Sequence, residues 1–125
     1  MFEVAVVGQF EAAHRLRGDF GPATHRHGHT YRVEVTARGP TLHPDGTLLD
    51  ITSLQDALRE VAGALHYRDL EEVAELAELN TTVETLAHYL FERIAERLGE
   101  QGLSSLRVRL WESPTASASY EEAFS

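Results

Sequence analysis

His27-Gly28-His29-Thr30-Tyr31-Arg32-Val33-Glu34-Val35-Thr36-Ala37 decides how this chain is to be read. Tyr31, Val33 and Val35 alternate with Arg32, Glu34 and Thr36, the period of a strand with one buried face and one wet face. On such a strand His27 and His29 share a face, with Cα atoms roughly 6.6 Å apart. Two imidazoles at that spacing can converge on one ion at zinc–nitrogen distances of about 2.0–2.1 Å. Gly28 between them admits a close backbone approach. A third ligand must come from a neighbouring strand, and His14 is the candidate. His25 would lie roughly 13 Å from His29 on a straight strand, too far to share the ion. Three histidines plus water is the open set that catalytic zinc uses. On spacing alone, surface or capping histidines remain the competing reading.

Working outward, the residues before this strand carry the same signal. Phe2, Val4, Val6, Phe10 and Ala12 share one parity from Phe2 to about His14, and the loop from Arg15 to Thr24 contains Gly18, Gly21 and Pro22. Turn chemistry runs from Gly39-Pro40 to Asp45-Gly46. Helical patterns follow. Thr52-Ser53-Leu54-Gln55 reads as a capping box opening a helix with Leu54, Ala57, Leu58, Val61 and Leu65. Thr81-Thr82-Val83-Glu84 reads as a second, opening a helix with Leu86, Leu90, Ile94 and Leu98 at spacing four and Gly99 as its stop. Strand period returns at Leu106, Val108 and Leu110, and a last strand is expected over roughly Ala116 to Phe124. The order β-β-α-α-β-β implies the α+β class: one domain over residues 1–125, a four-stranded antiparallel sheet with two helices on one face. Such a sheet would have two free edges and a half-apolar outer face, so a homo-oligomer is expected.

Composition narrows the function. The chain has 125 residues, no cysteine and a net charge of -9. Disulfides, thiolate metal sites and cysteine nucleophiles are excluded together. The acidic balance opposes binding to nucleic acid or an anionic membrane. No apolar run reaches the length of a membrane span. Met1-Phe2-Glu3-Val4 lacks a secretory layout, so a cytoplasmic chain is expected. Every fixed basic residue is arginine, which leaves room for a phosphate-bearing small substrate where a few converge.

Phe10-Glu11-Ala12-Ala13-His14-Arg15-Leu16 followed by His27-Gly28-His29-Thr30-Tyr31 resembles the 6-pyruvoyl- and 6-carboxytetrahydropterin synthases. Gly46-Thr47-Leu48-Leu49-Asp50-Ile51, Thr82-Val83-Glu84-Thr85-Leu86-Ala87 and Leu110-Trp111-Glu112-Ser113-Pro114-Thr115 match further family segments in order. The resemblance implies the tunnelling fold, a β-β-α-α-β-β unit closing into barrels with active sites between subunits, here a hexamer of two stacked trimers. It implies zinc on His14, His27 and His29. It also implies that Glu112 anchors the guanidine-like edge of a reduced pterin by a two-point, charge-assisted hydrogen bond. Thr82 and Glu84 are read first as helix caps and second as ligand contacts.

Two departures stand out. The family's cysteine, four residues before the His-Gly-His motif, is Ala23 here. Its Asp-His proton relay is His66-Tyr67. His25, His66, Tyr67 and Asp69 are the candidate substitutes for proton transfer, against their ordinary roles as loop, packing or solvated residues. The resemblance implies a carbon-oxygen lyase acting on 7,8-dihydroneopterin triphosphate or a related reduced pterin. The 6-carboxytetrahydropterin branch, which serves 7-deazaguanine and queuosine synthesis, suits a short chain. The alternatives are a zinc- and pterin- or purine-binding paralogue without turnover, an aldolase-like cleavage of dihydroneopterin, and a purely structural zinc.

Overall fold

The computed structural model describes residues 1–124; Ser125, the last residue of the expected domain, lies outside the described residues. Strand β1 runs Phe2–His14 and pairs antiparallel with β2, His27–Gly39, in an unbroken register from Phe2 opposite Gly39 to His14 opposite His27. The inward parity places Val6, Phe10 and Ala12 of β1 against the helices, beside Tyr31, Val33 and Val35 of β2. Phe10 stacks on Tyr31 with ring centroids 4.9 Å apart. Gly8 interrupts the apolar series because Leu58 lies over it, and a Cβ there would sit 3.2 Å from that side chain.

Helix α1 (Ile51–Gly63) packs on β1, and α2 (Val83–Leu98) packs on β4 (Ser105–Ser113) and β5 (Ala116–Ala123). Leu54, Leu58 and Val61 come down from α1, Leu86, Leu90 and Ile94 from α2, to meet Leu106, Val108 and Leu110 of β4 in one core. Gly99 ends α2 with φ 64, a conformation that glycine adopts without a Cβ clash.

Both caps differ from the sequence expectation. Asp50 caps α1, its carboxylate accepting from Thr52 N–H at 2.9 Å, so the helix opens two residues earlier than a Thr52 box implies. Thr82, rather than Thr81, caps α2 by accepting from Thr85 N–H at 3.2 Å. Thr81 is thereby free for another task, described below.

The sheet has five strands rather than four, in the order β3-β1-β2-β4-β5. The extra strand, β3, is only Arg68–Asp69 and lies parallel to the end of β1, Ala12 opposite Arg68 and Ala13 opposite Asp69. Beyond those two residues the outer edge of β1 carries no partner strand among the described residues. The outer face is also not half-apolar. By strand parity it presents Glu3, Gln9 and Glu11 of β1, Arg32, Glu34 and Arg38 of β2, and Arg107 and Arg109 of β4, relieved mainly by Ala5, Val7 and Trp111. Oppositely charged side chains therefore cover the sheet where no helix does. No described helix is long and apolar enough to cross a membrane.

Candidate metal centre

The last residue of β1 and the first and third of β2 bring His14, His27 and His29 together, because paired strands in this register point them all to the helix side. Their ring centroids lie 4.6 Å apart for His14 and His27, 5.2 Å for His14 and His29, and 4.8 Å for His27 and His29. Each offers one nitrogen, and the three atoms fall within 4.8 Å of one another.

Hydrogen bonds select which nitrogen that is. His14 Nδ1–H donates to the Thr81 carbonyl at 2.9 Å and lies 3.1 Å from the Thr81 hydroxyl. His27 Nδ1–H donates to the His25 carbonyl at 2.8 Å. His14 and His27 thus each have a backbone partner that fixes the ring's orientation, the usual outer support of a metal-bound histidine. The ligand chemistry suits a metal as well. Burial, then the neighbouring His27 and His29, lowers His14 from 6.5 to about 4, so this ring stays neutral and able to coordinate near neutral pH. His29 is lowered for the same first reason, with His27 next. The donor set of three convergent imidazoles fits a zinc ion with one position left open.

Around the cluster, burial pushes the Tyr31 hydroxyl pKa up, and the charge of Glu112 pushes it further. Tyr31 therefore remains a neutral phenol, with its oxygen 3.4 Å from His14 Nε2. Glu112 sits where the β4–β5 register shifts between Trp111 and Ser113. The irregularity frees it from ladder pairing and leaves its carboxylate to act on His29 and Tyr31.

The other candidates are dispersed. Ala23 closes the preceding loop by accepting from Leu16 N–H at 2.8 Å. His25 borders a surface depression with Arg15, Arg26, Asp69 and Glu71 rather than joining the three rings. His66 Nδ1 accepts from Glu11 N–H at 3.1 Å, and its ring lies along the groove between β1 and α1. Tyr67 stacks on His66 at 3.7 Å with φ 59, the only non-glycine among the described residues with positive φ. Asp69 pairs with Arg26 and caps a short turn by accepting from Glu71 N–H at 3.0 Å. Tyr67 and Asp69 line a cleft of about 620 Å³ with Arg26, Glu11 and His29. Its floor includes Ala13, Gly28 and Thr30, whose strand parity is opposite to the histidine rings. Thr82 is occupied as a cap, and Glu84 faces a separate cleft between α2 and β5 with His88 and Tyr120.

Thr81 escapes a reading from sequence because a Thr-Thr pair before a helix signals only a cap. Its burial to 1% exposure and its contact with His14 appear only in three dimensions. Arg26 escapes as well, since its acidic partner lies across the fold.

The chain is similar to known proteins over nearly its whole length. A family model described as 6-pyruvoyl tetrahydropterin synthase matches residues 3–123. A 6-carboxy-5,6,7,8-tetrahydropterin synthase of Haemophilus influenzae is 28% identical over 98% of this chain and 100% of its own length. A 6-pyruvoyl tetrahydrobiopterin synthase of Drosophila melanogaster is 34% identical, covering 89% of this chain and 74% of that one. The structure of a Caenorhabditis elegans 6-pyruvoyl tetrahydropterin synthase superimposes with a TM-score of 0.85 at 25% identity, over 98% of this chain and 96% of the other.

Proposed function

We propose, because this chain belongs to the 6-pyruvoyl tetrahydropterin synthase family, that it is a zinc-dependent carbon-oxygen lyase acting on 7,8-dihydroneopterin triphosphate or a related reduced pterin. The observation that carries this reading is the cluster of His14, His27 and His29, with the His14 and His27 rings each tied through Nδ1 to a backbone carbonyl. Zinc bound there would polarise a side-chain oxygen of the substrate and acidify the neighbouring C–H. The three histidines hold it, and the Thr81 and His25 carbonyls keep the rings aimed. Glu112 accepts two hydrogen bonds from the guanidine-like edge of the pterin and so orients the ring system. Thr82 and Glu84 are secondary ligand contacts in this reading.

Proton transfer falls to His25, His66, Tyr67 and Asp69 in place of the family's cysteine and Asp-His pair. On one chain His25 and His66 border other depressions, while Tyr67 and Asp69 line a cleft that His29 also borders. A substrate bound between neighbouring subunits would bring the dispersed groups to one reacting centre. A hexamer of two stacked trimeric barrels supplies such a site and also pairs the open edge of β1. The 6-carboxytetrahydropterin branch of the reaction, serving 7-deazaguanine and queuosine synthesis in the cytoplasm, is the assignment supported by a relative that this chain matches from end to end.

Zinc-loaded protein incubated with 7,8-dihydroneopterin triphosphate should yield 6-carboxytetrahydropterin or 6-pyruvoyltetrahydropterin, and His27→Ala should abolish turnover. Tight binding without product would instead favour a binding paralogue. Protein that holds no zinc after either isolation or reconstitution would contradict the metal assignment. Light scattering that finds a monomer at micromolar concentration would contradict the shared site.

A further inference from the structure

The cleft on the far side of the β1–β2 hairpin has a donor surplus that nothing in the fold consumes. Asp69 is nearly enclosed, its side chain 10% exposed, and both its oxygens are taken: Oδ1 by Glu71 N–H at 3.0 Å and Oδ2 by Arg26. Glu11 faces the same cleft and accepts from the Thr30 hydroxyl at 3.1 Å. The cations are less occupied. Arg26 keeps 63% of its side chain exposed, and Asp69 is its only ion-pair partner among the described residues. A guanidinium carries five N–H donors in a fixed fork, so most of Arg26 remains open. Arg68, on the same cleft, reaches only the Ala64 carbonyl, at 3.5 Å.

Beside these donors stands an aromatic ring held in a costly conformation. Tyr67 is 79% exposed and left-handed, pinned by its N–H to the Glu11 carbonyl at 2.6 Å and backed on one face by His66. A non-glycine residue in that region costs of order 1–3 kcal/mol and persists where the surroundings impose it. Here those surroundings leave a ring face open next to two arginines.

We infer that this cleft is an anion-binding site in which Arg26 and Arg68 take a phosphate or carboxylate of a small planar ligand, with Tyr67 offering a face to its ring. Asp69 is the positioning residue, holding the Arg26 fork toward the cleft without competing for its remaining donors. Arg26 and Arg68 supply its donors, and His29 of the metal cluster borders the same cleft. It rests on the function proposed above only in naming the anionic part of the same substrate, and it makes Arg26 a determinant of which pterins are accepted.

Calorimetric titration of the zinc-loaded protein with three probes tests this: 7,8-dihydroneopterin, its triphosphate, and 6-carboxypterin. Parent protein should bind at least one anionic probe about 10–100-fold more tightly than the neutral one, the scale of a charge-assisted bidentate pair. Arg26→Gln should erase most of that preference while leaving zinc content and neutral-pterin affinity unchanged. Arg26→Lys, which keeps the charge and loses the fork, should retain part of it. Asp69→Asn should lower the preference, and Asp69→Glu should keep more of it than Asp69→Asn does. A triphosphate-only preference would identify phosphate as the anion, and a preference shared with 6-carboxypterin would identify carboxylate as sufficient; either supports the site when Arg26→Gln removes it. Equal affinity for charged and neutral probes in the parent, or a preference that survives Arg26→Gln, would overturn it. Protein that shows the Arg26-dependent preference but no turnover would uphold the anion site while defeating the lyase reading.

Discussion

Acidifying the metal-free protein from pH 7 to pH 5 should cost stability through His14 in particular. The ring is 1% exposed, and its pKa is lowered from 6.5 to about 4, by burial first and then by His27 and His29. An unfolded chain regains the ordinary value. Below pH 6.5 the unfolded state therefore binds a proton that the folded state refuses, and the equilibrium shifts toward unfolding. The loss begins as pH falls through 6.5 and levels off below about pH 4. Integrating between pH 7 and pH 5 with these two values gives about 2 kcal/mol. That is a large share of the stability expected for a domain of this size. Urea denaturation of zinc-stripped protein at one fixed protein concentration would measure it, because any assembly would make apparent stability concentration-dependent. Carboxylates titrate in the same interval, so the informative quantity is the difference from His14→Gln, whose side chain cannot take up the proton. The parent should lose about 2 kcal/mol more than the variant over the two pH units. Parallel pH profiles for the two proteins would show that His14 is not held neutral, and the argument for a preformed ligand set would fail with it.

Other perturbations have equally definite outcomes. Thr81→Val removes the hydroxyl beside His14 but leaves the carbonyl bond, so zinc affinity in a chelator competition should fall about 10-fold, the low end for outer-shell partners; no change would mean that the carbonyl alone suffices. Tyr67→Gly relieves a left-handed tyrosine and should raise unfolding stability by roughly 0.5–1 kcal/mol, whereas destabilisation in urea would show that the ring packs more than its exposure suggests. Ile94→Ala opens a cavity between α2 and the sheet and should cost about 2–5 kcal/mol by the same assay, with a loss under 1 kcal/mol contradicting the packing described. Zinc occupancy should fall on acidification, since protons and metal compete for the same nitrogens, and dialysis at pH 5 against pH 7 would show it.

The strands and helices were legible because their burial is periodic. Phe2–His14 stands where alternation puts it, and Leu86, Leu90, Ile94 and Leu98 all face the core. The three metal-ligating candidates were legible for a related reason, since strand parity alone aligns His27 with His29. What escaped has no period. β3 is two residues long and can carry no pattern, yet it forms one wall of the anion cleft. Both helix caps moved by one or two residues because local propensity cannot tell which of several adjacent oxygens will reach a free N–H. Thr81 was diverted from that competition by His14, 67 residues away in sequence. The outer face was expected to be half-apolar, and its ion-bearing character becomes evident only when Arg32, Glu34, Arg107 and Arg109 are seen side by side across β2 and β4.

The direct opposition of His14 and His27 in the hairpin has a consequence for how the chain is assembled. A two-residue turn dictates the alignment of the strands it joins, but the segment 15–26 linking β1 to β2 is too long to do so. Sliding one strand past the other by a single residue would rotate His14 to the opposite side and scatter the three nitrogens. Only the native alignment closes the clasp. A metal ion arriving during synthesis would then serve as a proofreader, capturing correctly threaded hairpins and passing over those one step out of phase.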